Sequence, residues 1–357
     1  MEDNESSKNT LAIGLMSGTS LDGVDIAYCS FSKKGNAYNF NILACETVSY
    51  DEEWKLRLST LHTQDALTFA RTHVDYGRFL GRLVKSFIDR RNCKPAIVAS
   101  HGHTIFHQPT AGFTSQIGDG AALATECGLP VVCDFRSSDV AYGGQGAPLV
   151  PIGDELLFGN YDCCLNLGGF GNISFKKDGR RIAYDICPVN IALNYIAMQA
   201  GLDYDEGGTM AASGKIIAPL LDKLNNISFY HRQPPKSLGR EWFENELLPL
   251  LQPDKFSLED ILQTLVEHIA IQIGKSLPST ANTMIVTGGG AFNKHLISRV
   301  KFHCNAQVIL PDREIINYKE ALIFAFLGLL RIQEIPNCMP SVTGASKPAI
   351  GGAVYLP

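Results

Sequence analysis

Two stretches far apart in the chain share one pattern: an apolar run, a short polar turn rich in glycine, and a second apolar run. The first reads Leu11-Ala-Ile-Gly-Leu-Met16, then Ser17-Gly-Thr-Ser-Leu-Asp-Gly23, then Val24-Asp-Ile-Ala-Tyr-Cys-Ser-Phe31. The second reads Tyr161-Asp-Cys-Cys-Leu-Asn-Leu167, then Gly168-Gly-Phe-Gly-Asn172, then Ile173-Ser-Phe175. Each predicts a strand, a tight turn and a second strand. A third extended piece follows in both, at 40–48 and at 181–185, and helical periodicity comes next, at about 51–90 and from Ile191 onward. Repetition on this scale predicts a duplicated α/β architecture.

The remaining segments fit that plan. A buried strand at 96–100 ends in His101-Gly-His-Thr104, and a strand at 283–287 ends in Gly288-Gly-Gly290 before a predicted helix over 291–300. The near-continuous apolar run Lys319-Glu-Ala-Leu-Ile-Phe-Ala-Phe-Leu-Gly-Leu-Leu330 predicts a helix buried between layers, and 343–354 reads as an irregular closing segment. The Gly/Pro-rich stretch Tyr142-Gly-Gly-Gln-Gly-Ala-Pro-Leu-Val-Pro151 marks the expected boundary. The division predicted is a frayed tail at 1–10, an N-terminal lobe at 11–145 and a C-terminal lobe at 146–357.

A chain of 357 residues is long enough for two such lobes, each with its own core. The net charge of −5 supplies no basic excess for nucleic acid or an anionic membrane, so a small molecule is the expected partner. The 10 cysteines include no Cys-x-x-Cys pair and are expected to be reduced, buried thiols, which suits the cytoplasm. The opening residues are polar and acidic, without the apolar stretch of a signal peptide. No run approaches the roughly 18 apolar residues of a membrane span. A soluble, cytoplasmic protein is expected.

Chemistry concentrates in the turns. In the first, glycines allow close backbone approach to a ligand, and successive N–H groups with the Ser17, Thr19 and Ser20 hydroxyls make a concave anion site. Asp22 is a candidate magnesium ligand, directly or through water. An ordinary hairpin turn uses the same residue types, so this turn alone decides little. The turn at 168–172 is a similar object in the second half, and Gly288-Gly-Gly290 between strand and helix suits a nucleotide-contacting turn. Neither a dinucleotide-binding nor a P-loop fingerprint is present. Three glycine turns, each following a strand, point to one nucleotide held in a cleft between the halves.

His101, His103 and His107 lack a clustered acidic or thiol partner for a tetrahedral metal site, so substrate-facing or packed histidines are expected instead. Cys187 has no basic activator beside it in the sequence and is expected in a core.

The string Gly14-Leu-Met-Ser-Gly-Thr-Ser-Leu-Asp-Gly-Val-Asp25 closely resembles the opening motif of the anhydro-N-acetylmuramic acid kinase family. Asp134-Phe-Arg136, Asp139, Gly143-Gly-Gln-Gly-Ala-Pro-Leu-Val-Pro151, Asn166-Leu-Gly-Gly169, Pro234-Pro-Lys-Ser-Leu-Gly-Arg-Glu241, Gly288-Gly-Gly-Ala291 and Glu320-Ala321 extend the resemblance over nearly the whole chain. It implies an α/β fold of two RNase H-like lobes, the actin and hexokinase-like superfold, with an interdomain cleft. The activity implied is opening of the 1,6-anhydro ring of anhydro-N-acetylmuramic acid with phosphorylation of O6, using ATP and magnesium, in a homodimer.

By the same resemblance Gly18, Thr19, Ser20, Leu21, Asp22, Gly23, Val24 and Asp25 contact ATP, as do Gly168, Gly169, Asn172, Gly288, Gly289 and Gly290. Asp185 corresponds to the catalytic base, and His101, Arg136, Asn190 and Glu320 to substrate-binding residues. Arg136, Lys236 and Arg240 are candidates for the sugar's lactyl carboxylate or for phosphates, since guanidinium binds either bidentately; a surface ion pair is the alternative. For Asp185 the alternative is a helix cap or turn residue, and for Glu320 an internal salt bridge. The chain departs from the family where Asp-Thr-Gly-Pro-Gly-Asn becomes Asp185-Ile-Cys-Pro-Val-Asn190, and where His-Gly-Gln-Thr becomes His101-Gly-His-Thr104.

Overall fold

The structure is a computed structural model that describes residues 9–18, 21–35 and 37–357. Most of the expected tail, residues 1–8, lies outside these, and Thr10 already opens the first strand. The chain packs as two compact units, residues 1–158 with 318–357, and residues 159–317.

Strands β1 (Thr10–Met16), β2 (Gly23–Lys34) and β3 (Ala37–Ser49) form an antiparallel meander in the first unit. β4 (Ile97–Ser100) then pairs parallel to β1. A small hairpin, β5 (His103–Gln108) and β6 (Phe113–Ile117), follows outside this sheet, and β7 (Val131–Cys133) pairs parallel to β4. In the second unit β8 (Cys163–Leu167), β9 (Phe170–Lys177) and β10 (Arg180–Pro188) form another antiparallel meander. There β11 (Thr283–Thr287) pairs parallel to β8, and β12 (Gln307–Ile309) parallel to β11. The last strand, β13 (Ala353–Tyr355), returns to the first sheet antiparallel to β7.

The two sheets read β3-β2-β1-β4-β7-β13 and β10-β9-β8-β11-β12. Apart from the added edge strand they have one topology: a meander whose first strand is joined by two parallel strands on its far side. This is the RNase H-like order, and it makes the duplication concrete.

The helices follow the apolar pattern with differences that have local causes. The helical periodicity expected over about 51–90 is carried by two helices, α1 (Glu52–Thr60) and α2 (Ala66–Arg91), because Asp65 starts a new helix by accepting the Thr68 N–H at 2.8 Å. Tyr76, Leu80, Val84 and Phe87 line one face of α2 and are at most 1% exposed against the first sheet. Truncating one of them, such as Leu80→Ala, would cost about 2–5 kcal/mol. Next come α3 (Gly120–Cys127), α4 (Ser137–Ala141), α5 (Pro151–Leu156) and, in the second unit, α6 (Asn190–Gln199) and the core helix α7 (Leu258–Ser276). The helix expected over 291–300 begins later, as α8 (Lys294–His303), because Asn293 caps it by accepting the Leu296 N–H and a single 3-10 turn precedes it.

α9 (Arg313–Ile332) starts in the second unit and continues in the first. It lies so close to β1 that a Cβ on Gly14 would stand 1.8 Å from the Ala321 carbonyl oxygen, so only glycine fits there. The predicted division at 145/146 differs from the packing. The segment 146–158 stays with the first unit because Asp139 accepts the Gly146 N–H at 2.8 Å and Lys319 pairs with Asp154 at 2.6 Å. The closing segment, expected to be irregular, contains β13, which supplies the outer edge of the first sheet.

Candidate functional site

In the second unit the glycine turns meet at one end of the sheet. Asp185, Asn172, Asn166 and Thr287 stand in register across β10, β9, β8 and β11. Residues in register on neighbouring strands share a face, so the four side chains form a row. Gly168 and Gly169 follow β8, and their carbonyls accept from Asn190, Val189 and Ile191 at the start of α6. Gly288 has φ 82° and packs its Cα against Asn166 and Leu167; a Cβ there would meet Asn166 Oδ1 at 2.6 Å. Asn190 Nδ2 donates to the Leu167 carbonyl at 3.0 Å beside Gly289 and Gly290. The expected nucleotide turns 168–169 and 288–290 are therefore adjacent, and Asn190 sits between them.

Asp185 lies inside β10 and caps no helix; Val189 precedes α6. A bulge follows it, between Asp185 and Cys187, and the half-buried carboxylate accepts the Leu238 N–H through Oδ2 at 2.8 Å. Burial pushes its acid constant above the usual carboxylate range, and the Leu238 bond opposes this in part. The residues that depart from the family motif, Ile186, Cys187 and Val189, are at most 1% exposed and face the core. Cys187 is held as a thiol, its acid constant pushed far up by burial. Lys236 lies over the rings of Phe229 and Tyr184 at 4.8 and 5.8 Å, and burial lowers its acid constant. Arg240 is exposed and pairs with Glu244 at 2.9 Å, the surface ion pair that was its alternative.

In the first unit Gly23 needs to be glycine, since a Cβ would meet the Val48 carbonyl oxygen at 2.4 Å. Thr19 and Ser20 lie outside the described residues. Asp25 on β2 accepts from the Thr47 hydroxyl at 2.6 Å, and that hydroxyl is 3.2 Å from the Tyr318 hydroxyl. Burial raises the acid constant of Asp25, and Asp22 raises it further. Glu320, half-buried at the start of the unit's share of α9, is also raised, by burial first and by Asp25 second. Arg136 donates to Gly146 O at 2.6 Å and, through Nε and Nη2, to His101 Nε2 at 3.1 and 2.8 Å. His101 Nδ1 is 2.9 Å from the Gly102 carbonyl oxygen and donates to it, so the ring is neutral and Nε2 accepts. Burial and the Arg136 charge lower its acid constant well below the ordinary value. Burial also lowers Arg136, to about 10, which leaves its charge intact at neutral pH.

Among the described residues no group of three or more His, Cys, Asp or Glu side chains could hold a metal ion. His101, His103 and His107 each have separate hydrogen-bond partners: Arg136, Ser17 and Thr114. Magnesium asks for less, one or two carboxylates beside phosphate oxygens. Asp22 and Asp25, close enough for one to shift the other, are donors of that kind. The turns suit a triphosphate similarly: at Gly169 a Cβ would meet nothing within 4 Å. Sequence reading missed Asn166 as a member of the row, although its place just before Gly168 was the available signal. It also missed the partners of Ser17, Tyr50 just after β3 and His103 on β5, which leave no local trace.

Two units of RNase H-like strand order, with polar turns at the strand ends, define the fold class: the actin and hexokinase-like superfold. Residues 10–357 match the family model described as anhydro-N-acetylmuramic acid kinase. The anhydro-N-acetylmuramic acid kinase of Pseudomonas fluorescens (strain Pf0-1) is 37% identical over 373 residues, covering 97% of this chain and 99% of that protein. That of Pseudomonas syringae pv. syringae (strain B728a) is 35% identical over 368 residues, covering 96% and 98%. Plasmodium falciparum glycerol kinase with ADP, a solved structure, has a TM-score of 0.46 and 9% identity, covering 90% of each chain. The chain belongs to the anhydro-N-acetylmuramic acid kinase family.

Proposed function

We propose that this protein is an ATP-dependent kinase that opens the 1,6-anhydro ring of 1,6-anhydro-N-acetylmuramic acid with water and phosphorylates O6. The product is N-acetylmuramic acid 6-phosphate, an intermediate suited to the reuse of cell-wall peptidoglycan. Family membership across the chain supports the reaction, and the observation that carries the mechanism is the oriented carboxylate of Asp185.

Asp185 is the general base. Its Oδ2 is fixed by the Leu238 N–H, and burial raises its acid constant, which strengthens it as a proton acceptor. It takes a proton from the water that attacks the anomeric carbon. Bound magnesium-ATP supplies the phosphoryl group that O6 accepts as the ring opens. Gly168, Gly169, Gly289 and Gly290 offer backbone N–H groups to the nucleotide, with Gly288, whose own N–H donates to the Ile316 carbonyl at 3.2 Å, turning the chain beside them. The segment from Gly18 to Asp25 is the proposed second nucleotide contact. Asp22 is the proposed magnesium ligand. Glu320 orients a sugar hydroxyl, and Arg136, kept charged and held by Gly146 O and His101, serves the lactyl carboxylate.

A homodimer working in the cytoplasm is part of this reading. The ten cysteines are reduced thiols, buried or half-buried, which supports a reducing compartment. No described helix is long and apolar enough to cross a membrane. Light scattering on the purified protein tests the dimer.

Phosphorus NMR of a reaction with ATP and the anhydro-sugar tests the activity. A phosphomonoester on the sugar's sixth carbon together with ADP is expected. Unchanged ATP, or free phosphate without a sugar ester, overturns the proposal.

A further inference from the structure

We propose that Tyr50 is the positioning residue of the turn at 17–23, fastening both of its ends at once. The Tyr50 hydroxyl lies 2.6 Å from Ser17 Oγ, where the turn begins. The backbone N–H of the same residue donates to the Asp22 carbonyl at 3.4 Å, where it ends. The proposed link to nucleotide rests on the kinase reading above; the link to the turn does not.

The turn needs an outside tie. Leu21 has φ 60°, a left-handed conformation unfavourable for a bulky L-residue, and its N–H bond to Gly18 O is long at 3.5 Å. Tyr50 is in turn well fixed. It follows the last residue of β3 and precedes Asp51, which caps α1 by accepting the Trp54 N–H at 2.8 Å. Its ring lies against Tyr76 and Phe79, with centroids 6.4 and 6.1 Å away. Its hydroxyl is 2.5 Å from that of Tyr76, on the buried face of α2.

Ser17 also lies 2.9 Å from His103 Nδ1. Ser17, Tyr50, Tyr76 and His103 are exposed by 3%, 4%, 0% and 3%. A hydroxyl donates one hydrogen, so the four groups form a directional chain, running from Tyr76 through Tyr50 and Ser17 to His103 Nδ1 or in the reverse sense with the tautomer of His103. Every member is satisfied with His103 neutral. Deleting one hydroxyl from such a buried chain leaves its neighbours short of a partner and releases the turn.

Tyr50→Phe keeps the ring and the backbone N–H and removes only the hydroxyl. Hydrogen exchange on the ligand-free protein should show the peptide over 15–24 exchanging roughly 10-fold faster, with the rest of β1 and β2, and α2, unchanged. Magnesium-ADP titrated calorimetrically should bind roughly 5- to 10-fold more weakly. Ser17→Ala should reproduce both effects, and the double variant should be no worse than either single one. Ser17→Ala carries the test if Tyr50→Phe fails to fold. Unchanged exchange over 15–24, or faster exchange spread over the whole unit, overturns the positioning role. Failure of the unaltered protein to bind magnesium-ADP removes the kinase reading, and the exchange measurement still decides the role of Tyr50.

Discussion

The Leu238 N–H holds Asp185 Oδ2 at 2.8 Å, and Asp185 is tied a second time to the same segment, its own N–H donating at 3.1 Å to the carbonyl of Lys236, two residues before Leu238. The carboxylate is thereby aimed by backbone, and Oδ1 accepts no hydrogen bond from the described residues. Asp185→Asn preserves shape and removes basicity. Turnover should fall at least ~1000-fold with magnesium-ADP affinity within a few-fold of the parent, as steady-state kinetics and calorimetry would show. Normal turnover would take Asp185 out of the mechanism.

The pH profile carries the same residue's signature. Burial raises the Asp185 acid constant, so the protonated, inactive form persists to higher pH than for an ordinary carboxylate. The acid limb of kcat/KM should therefore lie above the usual aspartate value near 3.9. A limb at or below that value would contradict the assignment.

Asp22→Ala should weaken nucleotide binding only when magnesium is present. Titrations with ADP in magnesium and in EDTA separate the two cases: about 10-fold weaker in the first, unchanged in the second. Equal affinity of variant and parent at all magnesium concentrations would exclude Asp22 as a ligand.

His103 and His268 are buried neutral, with acid constants lowered to about 4 and about 3, burial being the main cause in both. The unfolded chain, with ordinary values near 6.5, binds more protons between these limits, so stability is full above pH ~6.5 and is lost as pH falls toward 4 and below. His103 alone accounts for on the order of 3 kcal/mol of that loss. Urea unfolding at pH 7 and pH 5 should show a smaller difference for His103→Asn, which retains a hydrogen-bonding group without the titration.

Lys319 Nζ lies 2.6 Å from Asp154 Oδ1, with side chains 6% and 5% exposed, and stacks over Phe158 at 5.0 Å. Lys319→Met leaves a buried carboxylate without its cation and should destabilise the first unit by about 3–5 kcal/mol; Lys319→Met with Asp154→Leu should recover most of that. Denaturant midpoints measure both.

Much of this was legible in the sequence because it is local. The two strand-turn-strand copies, their third strands and the apolar α9 are set by alternation and glycine placement within a few residues, and they appear where expected. What was missed depends on distant partners. The break between α1 and α2 turns on one cap, Asp65, inside a continuous helical period. The unit boundary turns on the pairing of Lys319 with Asp154 and on Thr343, which donates to Asp139 at 2.7 Å from 204 positions away. The network around Ser17 draws on residues 33 and 86 positions distant, separations no motif spans.

The contact of Gly14 with the Ala321 carbonyl makes the spacing between β1 and α9 a matter of main chain against main chain. Glu320, the neighbour of Ala321, therefore keeps its station whatever apolar side chains fill the rest of the helix. A designer could vary those fillers at conserved volume, provided the one residue without a side chain stays where it is.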